Sequence, residues 1–70
     1  MRQSLTPKQK HFLDYLKKYY RENEYMPSIR EALVDLNLSS SHNIWRYYDI
    51  LERKGYILRK SGAHRGVTII

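Results

Sequence analysis

Residues 27–55 read PSIREALVDLNLSSSHNIWRYYDILERKG, and the rest of the chain is arranged around them. Pro27 disfavours helix immediately before it, and Ser28 with Glu31 three residues on makes a capping box. Ile29, Ala32, Leu33 and Leu36 then recur at helical spacing along one face. Asn37 tolerates a left-handed backbone and stands where that short helix should stop. Leu38 anchors the turn, and Ser39, Ser40 and Ser41 offer N-caps for a longer helix ending near Lys54-Gly55. A short helix, a brief turn and a longer helix form the helix-turn-helix pattern, whose second helix enters the DNA major groove.

The longer helix has two unlike sides. Ile44, Tyr48 and Leu51 fall at i, i+4 and i+7 and make the face to be buried. At about 100° per residue, His42, Arg46, Asp49 and Arg53 point the other way, with Asn43 beside them. Trp45 and Tyr47 take the flanks. His, Asn and Arg near the N-terminal end of a half-covered helix suit base reading, since Arg pairs with guanine and Asn with adenine. A solvated polar face is the plainer reading of the same residues.

Upstream, Thr6-Pro7-Lys8-Gln9 opens a first helix with a capping threonine, proline at the first helical position and a closing glutamine. Phe12, Leu13, Leu16, Tyr19 and Tyr20 form its core stripe, and Lys10, Asp14, Lys17, Lys18 and Arg21 its polar side. His11 lies toward the polar side, and residues 22–26 read as a polar connection. Downstream of Gly55 the periodicity changes. Residues 56–60 are strand-like, residues 61–66 form a turn, and residues 67–70 are a β-branched run. An isolated hairpin is marginal in water, so this one is expected to pack on the helices through Ile57, Val67 and Ile69. Its tip would carry His64 and Arg65 toward phosphates or the minor groove. The expected fold is mainly α with a small β-hairpin, a three-helix winged helix-turn-helix. One domain is expected over residues 1–70, with helices about 7–23, 29–36 and 41–54 and a wing hairpin about 56–70.

Seventy residues allow one small core. The chain has no cysteine, so neither a disulfide framework nor a cysteine-based zinc site is available. No apolar run approaches ~20 residues, no signal-peptide core is present, and no membrane partner is expected. Thirteen Lys and Arg against seven Asp and Glu give a net charge of +6 and a pI near 9.8, which suits a polyanion. The charge is also asymmetric. Residues 22–35 hold four acids and one base, whereas residues 46–65 hold six bases and two acids. No carboxylate pair, nucleophile with a base, or phosphate-cradling loop points to an enzyme. His11, His42 and His64 lack a paired metal-ligand spacing, and no cofactor is expected. The rival function is a winged helix for protein contact or RNA, for which Trp45 and the seven tyrosines would serve as anchors.

Four groups of residues in register resemble the N-terminal DNA-binding domain of the LexA repressor family, bacterial regulators of the DNA-damage response. They are Leu5-Thr6-x-x-Gln9, Pro27-Ser28-x-x-Glu31, Arg53-Lys54-Gly55-x-Ile57 and Ser61-Gly62-Ala63-x-Arg65-Gly66. The resemblance runs from Leu5 to Ile70. It implies a bacterial or phage repressor that binds double-stranded operator DNA, and with neither a signal-peptide core nor a membrane-length apolar run the expected compartment is the cytoplasm, at the nucleoid. Carried across by position, the family's base-reading slots fall on Ser40, His42, Asn43, Trp45 and Arg46. Contacts to the DNA backbone, including those from the wing, are expected from Ser28, Arg30, Ser41, Arg53, Lys54, Arg59, Lys60, Ser61, His64 and Arg65.

Three departures from the family pattern stand out. The turn glycine is Asn37, and the small residue usual four positions before it is Leu33, with Ala32 adjacent. Trp45 and Arg46 replace typical acids, so the base preference is expected to differ from the usual family operator. Family members also carry a C-terminal domain with a Ser-Lys dyad that dimerises the repressor and cuts the linker. These residues do not contain it, which leaves a part of a longer repressor and a stand-alone regulator as alternatives. The chain is expected to be a monomer in solution, with two copies meeting on a two-fold symmetric operator.

Overall fold

A computed structural model describes residues 3–59 and 67–70. The elements follow in the order α1 (Pro7–Asn23), α2 (Ile29–Asp35), α3 (Ser41–Arg53), β1 (Ile57–Arg59) and β2 (Val67–Ile69). The two strands pair antiparallel, with Ile57 opposite Ile69 and Arg59 opposite Val67. Three helices and a two-stranded hairpin make the winged helix-turn-helix arrangement that the sequence pattern predicts.

Each helix begins where a side chain satisfies its first free N–H groups. Thr6 and Gln9 close a reciprocal capping box on α1, and Ser28 and Glu31 close another on α2. Ser40 caps α3, its hydroxyl oxygen accepting from the His42 N–H at 3.2 Å. Both motif helices stop by the same device. Leu38 N–H donates to Leu33 C=O at 2.9 Å and Asn37 N–H to Val34 C=O at 3.2 Å, around Asn37 at φ 54°. Tyr56 N–H to Leu51 C=O at 2.9 Å and Gly55 N–H to Glu52 C=O at 3.1 Å repeat the pattern around Gly55 at φ 86°. These are Schellman motifs, and they demand a residue that accepts the left-handed region. The helix ends are therefore set locally.

The core gathers one face from every element: Phe12, Leu13 and Leu16 of α1, Ala32 of α2, Ile44, Tyr48 and Leu51 of α3, Ile57 of β1 and Val67 of β2. Ile29, Leu33, Leu36, Leu38 and Ile69 pack against it. Fully buried Ala32, rather than half-buried Leu33, gives α2 its close approach to the core. Two expectations need correction. Met26 and Pro27 are buried, so the connection read as polar contributes to the core. Tyr20, expected on the core stripe, is 52% exposed. Its angle around α1 is right, but it lies in the last turn, beyond the three buried α1 residues, in a shallow groove with Met26, Val67, Thr68 and Ile69. Tyr15 instead packs against the core.

Contacts distant in sequence fix the helices against one another. The Tyr15 hydroxyl of α1 donates to Asp35 at 2.6 Å, and the Tyr19 hydroxyl donates to Glu31. Burial and then the Asp35 hydrogen bond hold the Tyr15 hydroxyl well above its ordinary pKa. Lys54, at the end of α3, donates to Ser4 C=O at 2.9 Å and to Gln9 Oε1 at 2.8 Å, while the Tyr56 hydroxyl donates to Gln3 C=O at 2.7 Å. The chain start is thus strapped across the C-terminal end of α3.

Tyr48 is 1% exposed, and its hydroxyl has no hydrogen-bond partner among the described residues. Burial pushes its pKa up to about 12. An unsatisfied buried hydroxyl costs roughly 1–3 kcal/mol, so Tyr48→Phe is expected to stabilise the fold by about 1 kcal/mol. In a domain of this size that raises Tm by about 4–8 °C in a thermal melt. A lower Tm would show that the hydroxyl contributes a favourable interaction.

Candidate nucleic-acid interface

The α3 helix is half covered. Ile44, Tyr48 and Leu51 are each no more than 1% exposed, while Ser41, His42, Arg46 and Arg53 on the outer side are open to solvent. Asn43 is half-buried beside them, and Trp45 is 43% exposed with its ring edge-on to Tyr48 at 6.1 Å. Tyr47, on the other flank, is stacked on Phe12 at 5.0 Å and belongs to the core side. Ser40, His42, Asn43, Trp45 and Arg46 therefore share the N-terminal half of one uncovered helix face. The His42, Asn43 and Arg46 side chains make no hydrogen bond or ion pair among the described residues. Donors left open on a helix held rigidly from behind can serve a partner.

The residues expected to meet the DNA backbone are placed less uniformly. Ser28 caps α2, and Arg30 is exposed in its first turn. Arg53 is open to solvent, with its guanidinium 3.6 Å from Asp49. Lys54 and Arg59 are engaged inside the chain. Lys54 holds the strap over α3, and Arg59 donates to Asp49 at 2.8 Å and to Glu52 at 3.0 Å. Sequence spacing missed both because their partners come from other elements. Lys60, Ser61, His64 and Arg65 lie outside the described residues. Among the described residues no group of His, Cys, Asp and Glu could hold a metal ion, and no helix is long and apolar enough to cross a membrane.

A helix-turn-helix followed directly by a two-stranded wing, with the second motif helix uncovered, defines the winged helix-turn-helix class. Comparison with known families places the chain within that class. The family described as the LexA DNA binding domain matches residues 2–66, and the chain belongs to it. It is similar to the LexA repressor of Pelotomaculum thermopropionicum, with 39% identity over 100% of this chain and 34% of that protein. LexA repressor 1 of Geobacter sulfurreducens is 32% identical over 97% of this chain and 34% of its own length. The LexA repressor of Petrotoga mobilis is 37% identical over 97% and 33%. The chain thus spans about a third of the length of these curated relatives. As a LexA DNA binding domain it binds DNA in a sequence-specific manner.

Proposed function

We propose that the chain acts as a LexA-like transcriptional repressor or as its operator-binding domain, with the free face of α3 seated in the major groove. The observation that carries this reading is the row of exposed His42 and Arg46 with half-buried Asn43 beside them, whose side chains make no internal hydrogen bond among the described residues, on the far side of α3 from a fully buried face. Arg46 takes guanine through two parallel hydrogen bonds and Asn43 takes adenine in the same way, while Ser40 and His42 add contacts at the helix start. Trp45 packs its exposed edge on a thymine methyl or a sugar. Ser28 and Ser41 donate hydroxyls to phosphates, and Ser61 and His64 are proposed to add further contacts to the DNA backbone.

Arg30, Arg53, Lys60 and Arg65 supply the phosphate charge. With four cations per monomer, log K should fall with log salt with a slope of about −3 to −4. Fluorescence anisotropy with duplex DNA, single strands and RNA over a salt series tests this. Preference for one duplex sequence and a slope in that range are expected. Equal binding of RNA or single strands would favour an RNA-binding module, and absence of nucleic-acid binding a protein partner at Trp45; either would overturn the reading. Arg65→Ala should weaken all duplexes alike and flatten the slope by about 0.9. A loss confined to one sequence would make the wing a base reader.

Two copies are expected to meet on an operator whose half-sites lie about one helical turn apart, or a multiple of that. The apolar faces of all three helices contribute to the core, which supports a monomer in the absence of DNA. Sedimentation should show a monomer without DNA. A stable dimer would contradict this and point first to Trp45, at the edge of α3.

A further inference from the structure

We propose that Arg59 serves DNA binding without touching DNA: by taking the short contacts to Asp49 and Glu52 it leaves Arg53 only a long ion pair with Asp49, which a phosphate can displace. The inference rests on the reading of Arg53 as a phosphate contact. The acids Asp49 and Glu52 lie on α3 beside that cation, where left alone they would repel the DNA backbone and compete for Arg53. Arg59 reaches both from β1. Its NH2 donates to Asp49 Oδ1 at 2.8 Å and to Glu52 Oε1 at 3.0 Å, its Nε to Glu52 Oε1 at 3.3 Å, and its backbone N–H to Glu52 Oε2 at 3.2 Å. The Arg59 side chain is 24% exposed and is bound on several sides, a geometry that opposes turning outward to a phosphate.

Arg53 stands in contrast. Its side chain is 80% exposed, and among the described residues its one ion pair is a long one, 3.6 Å to the other oxygen of Asp49. Asp49 and Arg53 are spaced i, i+4 with the acid first, the order in which a helical ion pair is favourable. Without Arg59, Asp49 would therefore capture Arg53. Lys54, the neighbouring cation, cannot replace it while bonded to Ser4 and Gln9. The hairpin thus prepares the recognition helix electrostatically, in addition to whatever its tip contacts.

The test is the salt dependence of duplex binding by five variants of the whole chain. Arg53→Gln and Arg59→Gln should each flatten the slope by about 0.9, and the double variant should lose no more than either alone. Adding Asp49→Asn to Arg59→Gln should restore the slope by releasing Arg53. Asp49→Asn alone, in a chain that keeps Arg59, should leave the slope nearly unchanged because Asp49 holds Arg53 only through the long 3.6 Å pair. Additive losses without rescue would mean that Arg59 itself contacts phosphate. A lower Tm with an unchanged slope for Arg59→Gln would make the cluster purely structural, and a steeper slope for Asp49→Asn alone would show that Arg59 does not restrain Asp49. Each of these overturns the proposal. An unchanged slope for Arg53→Gln alone would remove Arg53 from the interface, which separates failure of the underlying reading from failure of the Arg59 role.

Discussion

Phe12→Ala is expected to destabilise the domain by about 3–5 kcal/mol, the range for truncating a buried aromatic side chain. Phe12 is 1% exposed and lies at the junction of α1 and α3. Its ring stacks on Tyr47 at 5.0 Å, meets Tyr48 edge-on at 5.3 Å and touches Tyr15 at 6.4 Å. Tyr47 and Tyr48 belong to α3, so the cavity would open directly behind that helix. A domain of this length has a total stability of about 4–10 kcal/mol, and the loss is a large share of it. At about 4–8 °C per kcal/mol, Tm should fall by roughly 12–40 °C, with duplex binding lost in parallel. Circular dichroism melts check this. A fall of only a few degrees would mean that the aromatic cluster collapses into the space and that the core does not depend on this ring.

Arg46→Ala should have the largest effect on recognition, about 1–3 kcal/mol on the preferred operator and much less on random duplex. Arg46 is exposed on the side of α3 opposite the buried face, about one turn in from Ser41. Its guanidinium makes no internal ion pair among the described residues, so the whole fork is available to guanine O6 and N7. Arg46→Lys should rescue only in part, because an ammonium is a point charge without the planar fork. Titrations against single-base operator variants separate the two possible roles. If Arg46→Ala keeps the wild-type base preferences and loses only general affinity, Arg46 contacts phosphate and this helix face does not read bases at that position.

Local signals made most of the fold legible in the sequence. Thr6 with Gln9, Ser28 with Glu31, Asn37 and Gly55 are each recognisable within a few residues, and each marks a helix end in the structure. Period-3.6 spacing likewise identified Ile44, Tyr48 and Leu51 as the buried side of α3. What stayed hidden depends on contacts between distant residues. Met26 is buried because the chain after α1 turns back over the core, which no periodicity within residues 22–26 could reveal. Tyr20 fits the stripe by angle but not by position along the axis. Lys54 and Arg59 read as free cations on a basic stretch until Gln9, Asp49 and Glu52 are brought beside them. The exposed face of α3 is legible as a pattern of donors, whereas base preference depends on geometry with DNA, which no spacing encodes.

The most direct test of the account is selection of binding sites from a pool of randomised duplexes, run in parallel with the chain and with Arg46→Ala. The chain should enrich a discrete sequence, repeated with two-fold symmetry, with guanine at one position of each half-site. The Arg46→Ala pool should lose preference at that position and keep it elsewhere. Identical enrichment by both proteins, or no enrichment by the chain at moderate salt, would contradict base reading by the free face of α3.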